Sequence, residues 1–197
     1  GALRISHLLA TRSFAGDIVE VTVLRDGERI KIELVLEARS TREYPIEPFI
    51  IDRAPEYFII GGLVFQELSG ELLRVWGGDW RNKAPRRLTR FERHQWSMLE
   101  PGEKLVVLVQ ALPSPGNMGY ENIGMADVAT INGKTIHRLE DVRDALAAPE
   151  GDFHRVGLGG AALPDILLKV ADTFAEDAQI QRAYRLPSLS YIEPASP

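Results

Sequence analysis

The chain has 197 residues, a net charge of −5 from 23 Lys and Arg against 28 Asp and Glu, and 45% hydrophobic residues. This composition is typical of a globular protein with one domain or two small ones. The absence of cysteine excludes disulfides, thiolate catalysis and Cys-ligated metals. The acidic balance disfavours nucleic acid and anionic membranes as general partners, and no apolar run approaches the roughly 18 residues of a membrane span.

The first forty residues predict a helix followed by a hairpin. Arg4–Arg12 carries its apolar side chains on one helical face, and Gly16 follows as a stop signal. Ile18–Leu24 and the alternating segment Arg29–Leu36 flank Asp26-Gly27, a two-residue turn signal. We therefore expect two antiparallel strands with one buried face.

The next sixty residues change in character twice. Residues 39–55 contain three prolines among charged residues, which predicts a linker. The apolar run Tyr57–Leu68 is interrupted by Gly61-Gly62, which predicts two short strands joined by a tight loop. Residues 69–102 contain all three tryptophans and a basic cluster, and they predict one or two short helices on the sheet.

The remainder predicts further strands and two helices. Thr173-Phe174-Ala175-Glu176 has the form of a capping box and predicts the start of the final helix. The order helix, Gly-Asp, strand, turn, strand occurs at Arg4–Leu36 and again at Arg138–Val170, which indicates a weak repeat. The other predicted elements are the strands Lys104–Leu112, Ala126–Ile131, Lys134–Ile136, Gly151–Leu158 and Asp165–Val170 and the helix Leu139–Leu146.

No catalytic or metal site is predicted. No serine lies in a Gly-x-Ser-x-Gly turn, and the four histidines are scattered without ligand spacing. Residues 157–162 match a Gly-x-Gly-x-x-Ala dinucleotide motif, but Pro164 and a new strand follow where that motif needs a helix. We interpret this motif as a hairpin turn and predict no cofactor.

Two features allow both a functional and a structural interpretation. Consecutive amides at Gly61-Gly62 can form an anion-binding nest beside a strand edge, or the pair can be a simple tight turn. The basic cluster at residues 81–93 can bind phosphate or nucleic acid, but a solvated helix face or a contact with an acidic partner is more common. We therefore predict no nucleic-acid partner, and we interpret the tryptophans as packing residues.

Several motifs resemble PDZ domains. Gly61-Gly62-Leu63-Val64-Phe65 resembles the carboxylate-binding loop, although Val64 replaces its later glycine. Residues 128–136, followed by Leu139-Glu140-Asp141-Val142, resemble the strand-to-helix signature of Deg/HtrA proteases. Residues 56–65, 76–81, 84–88 and 117–120 are similar to the atypical second PDZ domain of Deg proteases from plants and bacteria, and residues 16–17 and 21–28 resemble the end of the first.

The resemblance implies an α+β fold: a PDZ-like, partly open β-barrel with flanking helices, preceded by a partial PDZ of helix plus hairpin. The implied segments are the end of a first PDZ (1–38), a linker (39–55) and a second PDZ-like domain (56–197) with an insertion at 69–103. It further implies a non-catalytic regulatory region of an ATP-independent serine endoprotease, without the protease domain. Implied partners are peptides or unfolded substrates, that protease domain and further copies in a homo-oligomer. The compartment stays open, with the cell envelope favoured for a bacterial source.

Two binding modes follow from this resemblance. In the leading hypothesis a peptide adds to Val64–Gln66 between that strand and the helix Leu139–Leu146, its carboxylate held by the loop amides. The alternative is an assembly module with a closed groove. The predicted peptide-binding residues are Ile60, Gly61, Gly62, Leu63, Val64, Phe65, Gln66, Leu139, Val142, Arg143 and Leu146, and the predicted assembly residues are Trp76, Trp80, Arg86, Arg87 and Arg90.

Overall fold

The computed structural model describes residues 14–160 and 163–193 and divides the chain into two compact units, Gly1–Ser40 and Thr41–Pro197. The predicted helix Arg4–Arg12 lies outside the described residues. The domain boundaries drawn from the sequence stay a prediction.

The first unit contains the predicted hairpin. Strands β1 (Ile18–Arg25) and β2 (Glu28–Val35) pair antiparallel across Asp26-Gly27. Their register opposes Val21 to Ile32 and Val23 to Ile30, so valines and isoleucines share one face. This face is less buried than expected, since Ile30 and Ile32 are 39% and 40% exposed.

The second unit is built on one open sheet. Its strands are β3 (Tyr57–Ile60), β4 (Leu63–Glu67), β5 (Val106–Ala111), β6 (Ala126–Ile131), β7 (Lys134–Thr135), β8 (Phe153–Leu158), β9 (Ile166–Lys169) and β10 (Ser190–Tyr191). Their order across the sheet is β10-β3-β4-β5-β6-β8-β9, with β7 paired to β6 and every pair antiparallel. The α+β PDZ-like fold is confirmed, and the sheet is not closed into a barrel.

Five α-helices are described in this unit: α1 (Gly70–Leu73), α2 (Trp80–Lys83), α3 (Arg86–Met98), α4 (Leu139–Leu146) and α5 (Val170–Tyr184). The predicted capping box is wrong, because β9 runs directly into α5 at Val170 and the Thr173 hydroxyl donates to the Val170 carbonyl at 2.8 Å inside the first turn. The motif at residues 157–162 starts in β8, and β9 returns antiparallel after it, as a hairpin requires.

Two hydrophobic clusters organise the unit. The larger joins the sheet to α4, and the smaller joins α1, α2 and α3 to residues near the start of the unit. Ile46 is only 1% exposed, and its N–H donates to Gln95 Oε1 at 2.9 Å. Part of the segment interpreted as a linker is therefore packed into this core. Trp80 is buried there, as expected for a packing residue.

Candidate functional site

Gly61 and Gly62 form the tight turn of the β3–β4 hairpin. Ile60 pairs with Leu63 across them, and both glycines have positive φ, +52° and +84°. A type I′ turn needs φ above zero at both central residues, which glycine adopts without steric strain. The glycine pair is thus a tight hairpin turn, and anion binding by its amides stays a prediction.

Three backbone polar groups of this turn already have partners. The Gly61 N–H donates to Asp177 Oδ1 of α5 at 2.6 Å. The Gly61 carbonyl accepts from Asn117 Nδ2 at 2.7 Å, and the Gly62 carbonyl accepts from the Leu112 N–H at 2.7 Å. An internal carboxylate thus occupies an amide that a peptide carboxylate would need.

Burial and the Gly61 N–H shift the pKa of Asp177 in opposite directions. Desolvation raises the pKa of Asp177 to about 6, while the Gly61 hydrogen bond lowers that pKa and the neighbouring Glu176 raises it. At neutral pH the carboxylate is therefore mainly ionised and accepts the Gly61 N–H as a charge-assisted hydrogen bond.

Both edges of β4 are hydrogen-bonded. Phe65 pairs with Phe58 of β3 on one side and with Leu108 of β5 on the other. Helix α4 lies against both β3 and β4. Val64 and Phe65 therefore offer no free edge to the predicted peptide, because β3 takes one edge and β5 the other. Gln66 is paired with Val107 of β5 alone among the described strands.

The predicted pocket residues meet as packed core. Loop, strand and helix do come together, but Leu63, Phe65, Leu139 and Val142 are each fully buried in one cluster. Leu146 belongs to the same cluster, Ile60, Val64 and Gln66 are half-buried, and Arg143 is exposed and paired with Asp144 at 2.9 Å.

The residues predicted for assembly divide into buried and exposed. Trp80 is 5% exposed and Trp76 is half-buried. Arg87 forms a two-pronged ion pair with Asp127, which is itself 4% exposed. Arg86 and Arg90 are exposed on α3.

Sequence reasoning missed Glu67, at the end of β4. Its Oε1 accepts the N–H of Leu139 at 3.1 Å, so it caps the start of α4. Desolvation raises the pKa of Glu67 to about 7, and Lys104 offsets part of that rise. Asp177 was missed as well, since neither carboxylate carries a local motif and each gains its role from a partner more than 70 residues away.

The described part of the chain holds no group of three or more His, Cys, Asp or Glu placed to bind a metal ion. None of the described helices is both long and apolar enough to span a bilayer.

A family model described as a PDZ domain matches residues 46–190. Among curated proteins, Protease Do-like 2, chloroplastic, from Arabidopsis thaliana is 34% identical over 145 residues, which cover 69% of this chain and 22% of that protein. The matched segment is thus a small part of that relative, and the matched domain is not a catalytic one. The chain belongs to the PDZ domain family and is a PDZ region of the Deg/HtrA protease type.

Proposed function

We propose that this chain is the regulatory part of an ATP-independent serine endoprotease of the Deg/HtrA type, and that its PDZ domain is an assembly module with a closed groove. In this role it docks on the protease domain of the same protein or on neighbouring subunits of a homo-oligomer. The similarity to a protein named as a protease supports the parent activity. The observation that carries the closed groove is the pairing of β4 on both edges.

Peptide capture by strand addition needs a row of free backbone N–H and C=O groups on one edge. To offer such an edge, β4 would have to separate from β3, whose register pairs join residues 58–60 to 63–65. Each lost backbone hydrogen bond costs about 1 kcal/mol. A peptide carboxylate would in addition have to displace Asp177 from the Gly61 amide. Both requirements disfavour the capture of free C-termini.

The test is a fluorescence-anisotropy titration with a degenerate set of short peptides, each made with a free and with an amidated C-terminus. We expect no difference between the two forms. The variant Asp177→Ala releases the Gly61 amide but leaves β4 paired, so it should behave in the same way. Asp172→Ala, an exposed position on the same helix, is the matched control. Binding that amidation weakens about tenfold, in the native chain or in Asp177→Ala alone, would contradict the closed groove.

A second candidate function is the recognition of extended peptides at the outer edge of β3, for substrate capture or allosteric control. It is favoured by the shortness of β10, which covers this edge with two residue pairs and one further bond from the Ile59 N–H to the Leu189 carbonyl at 2.7 Å. A chain ending at Pro187 would expose the edge. If that chain binds peptides whether or not they are amidated, and a peptide of residues 188–193 competes with them, this function replaces the first. If the shortened chain binds no peptide and the peptide of residues 188–193 does not compete, this second function is excluded.

A further inference from the structure

Helix α3 presents a recess lined almost entirely by basic side chains. Arg86, Arg90 and Arg93 follow each other at spacings of four and three residues, so they share one face of the helix. All three are exposed. The recess that they line is completed by Arg81, Thr89 and His94.

The arginines of this segment fall into two groups. Arg87 is held by Asp127, and Arg81 pairs with Glu92 at 2.9 Å while its guanidinium lies 4.2 Å from the Trp80 ring centre. These two guanidinium groups therefore already have partners within the unit. The guanidinium groups of Arg86, Arg90 and Arg93 make no ion pair or hydrogen bond with any residue in the described ranges, so their charge is uncompensated.

Charge is distributed unevenly along the chain. Residues 81–93 contain six basic residues and one acidic residue, a local charge of +5. Because the whole chain carries −5, all other residues together carry −10. Like charges on one helical face repel each other, and an anionic partner removes that repulsion.

The shape of the recess and the net charge of the rest of the chain indicate which kind of anionic partner it binds. A bilayer is flat and is bound by protruding basic and apolar side chains, whereas these arginines line a concavity that itself has no large apolar residue. Phe91 and Met98, which lie beside Arg86 and Arg90 in an adjoining recess, are half-buried and do not protrude. Nucleic acid and anionic membranes extend beyond the recess, and the rest of the chain, with a net charge of −10, offers them no general attraction. A short acidic segment needs only a local match, because charges more than about 10 Å apart are largely screened at about 0.1 M salt.

We propose that the recess formed by Arg86, Arg90 and Arg93 binds an acidic segment of a partner polypeptide through its carboxylates. This inference rests on the proposed assembly function and names the chemistry of the partner. Guanidinium groups match carboxylates in two-pronged geometry. From Arg86 to Arg93 the helix rises by about 10 Å, which corresponds to about three residues of extended chain. Two or three carboxylates within four or five residues would therefore engage the face.

The probe is a labelled hexaglutamate peptide, acetylated at its N-terminus and amidated at its C-terminus. Without a free C-terminus it cannot report carboxylate capture at the Gly61–Gly62 loop, so this test and the titration above fail independently. The variant R86Q/R90Q/R93Q removes the three charges. The variant R25Q/R29Q/R185Q removes three exposed charges elsewhere and is the matched control. Melting curves verify that both variants stay folded.

We expect the native chain to bind hexaglutamate, R86Q/R90Q/R93Q to lose at least about tenfold in affinity, and the control to stay within about twofold. Binding should weaken steeply with salt. Equal losses in both variants would mean a general charge effect and would overturn the proposal. Tighter binding to phosphatidylserine vesicles or to a single-stranded oligonucleotide than to hexaglutamate would overturn it in favour of those partners.

Discussion

Glu67 makes the stability of the second unit depend on pH, and one conservative substitution isolates that effect. Its carboxyl is largely buried and accepts the N–H of Leu139, while Lys104 attracts it and both Glu56 and Glu140 repel it. Burial raises the pKa of Glu67 from 4.5 to about 7 in the folded chain. The folded state therefore holds this proton at pH values where the unfolded state has released it.

The sign follows from proton linkage. Between about pH 4.5 and pH 7 the folded state binds more protons than the unfolded state, so the free energy of unfolding falls as pH rises through this window. The full difference in pKa corresponds to about 3 kcal/mol, and the remaining solvent access of Glu67 lowers this to about 2–3 kcal/mol. For a unit of this size that is a shift in melting temperature of roughly 5–10 °C.

Glu67→Gln keeps an acceptor for the Leu139 amide and removes the charge. We expect the variant to exceed the native chain in stability at pH 8 and to lose that advantage at about pH 5. Glu150→Gln, the same change at an exposed position, should match the stability of the native chain at both pH values. Differential scanning calorimetry across this range gives the comparison. The other groups with shifted pKa, including Asp177 and His154, are common to all chains and cancel in the difference. Parallel profiles for the native chain and Glu67→Gln would refute the reasoning.

Two further substitutions test the packing around the site. Gly62→Ala should destabilise the unit by about 3 kcal/mol or more, because its Cβ would overlap the Leu112 carbonyl. Gly102→Ala, at a similar φ in a hydrogen-bonded turn but in open space, should cost only about 1 kcal/mol, so equal losses in urea denaturation would contradict this. Arg87→Ala removes the side-chain partner of the buried Asp127 carboxylate and should cost about 2 kcal/mol, so an unchanged melting temperature would show that the pair is not structural.

The local patterns predicted most of the strands and helices. Asp26-Gly27 and Asn132-Gly133 marked two hairpin turns, and the alternation in 29–36 marked a strand, because these signals depend on neighbouring residues alone. The start of α5 was missed since Thr173 lies where a capping residue would, while the preceding strand enters the helix without a loop. Such a continuous junction carries no composition signal.

The packing of residues 45–47 could not be predicted for a different reason. Prolines and charges indicate irregular backbone, which is correct here, but irregular backbone is not always solvated. Glu47 is buried because Arg53 pairs with it at 2.7 Å and Lys104 lies 3.5 Å away. These side chains become neighbours only in the folded chain, and their spacing along the sequence does not indicate the contact.

The glycine pair shows why a carboxylate-binding motif can be present without being available to a ligand. The pattern at 61–65 predicts amides beside a strand, and the structure has both. Whether a peptide can use them depends on two long-range facts: which strand lies on each edge of β4, and which side chain faces the Gly61 N–H. Here β3 and Asp177 supply from within the chain the backbone pairing and the carboxylate that a peptide would bring. Because the same chemistry is satisfied internally, the exposed arginines of α3 become the stronger candidate for contact with another polypeptide.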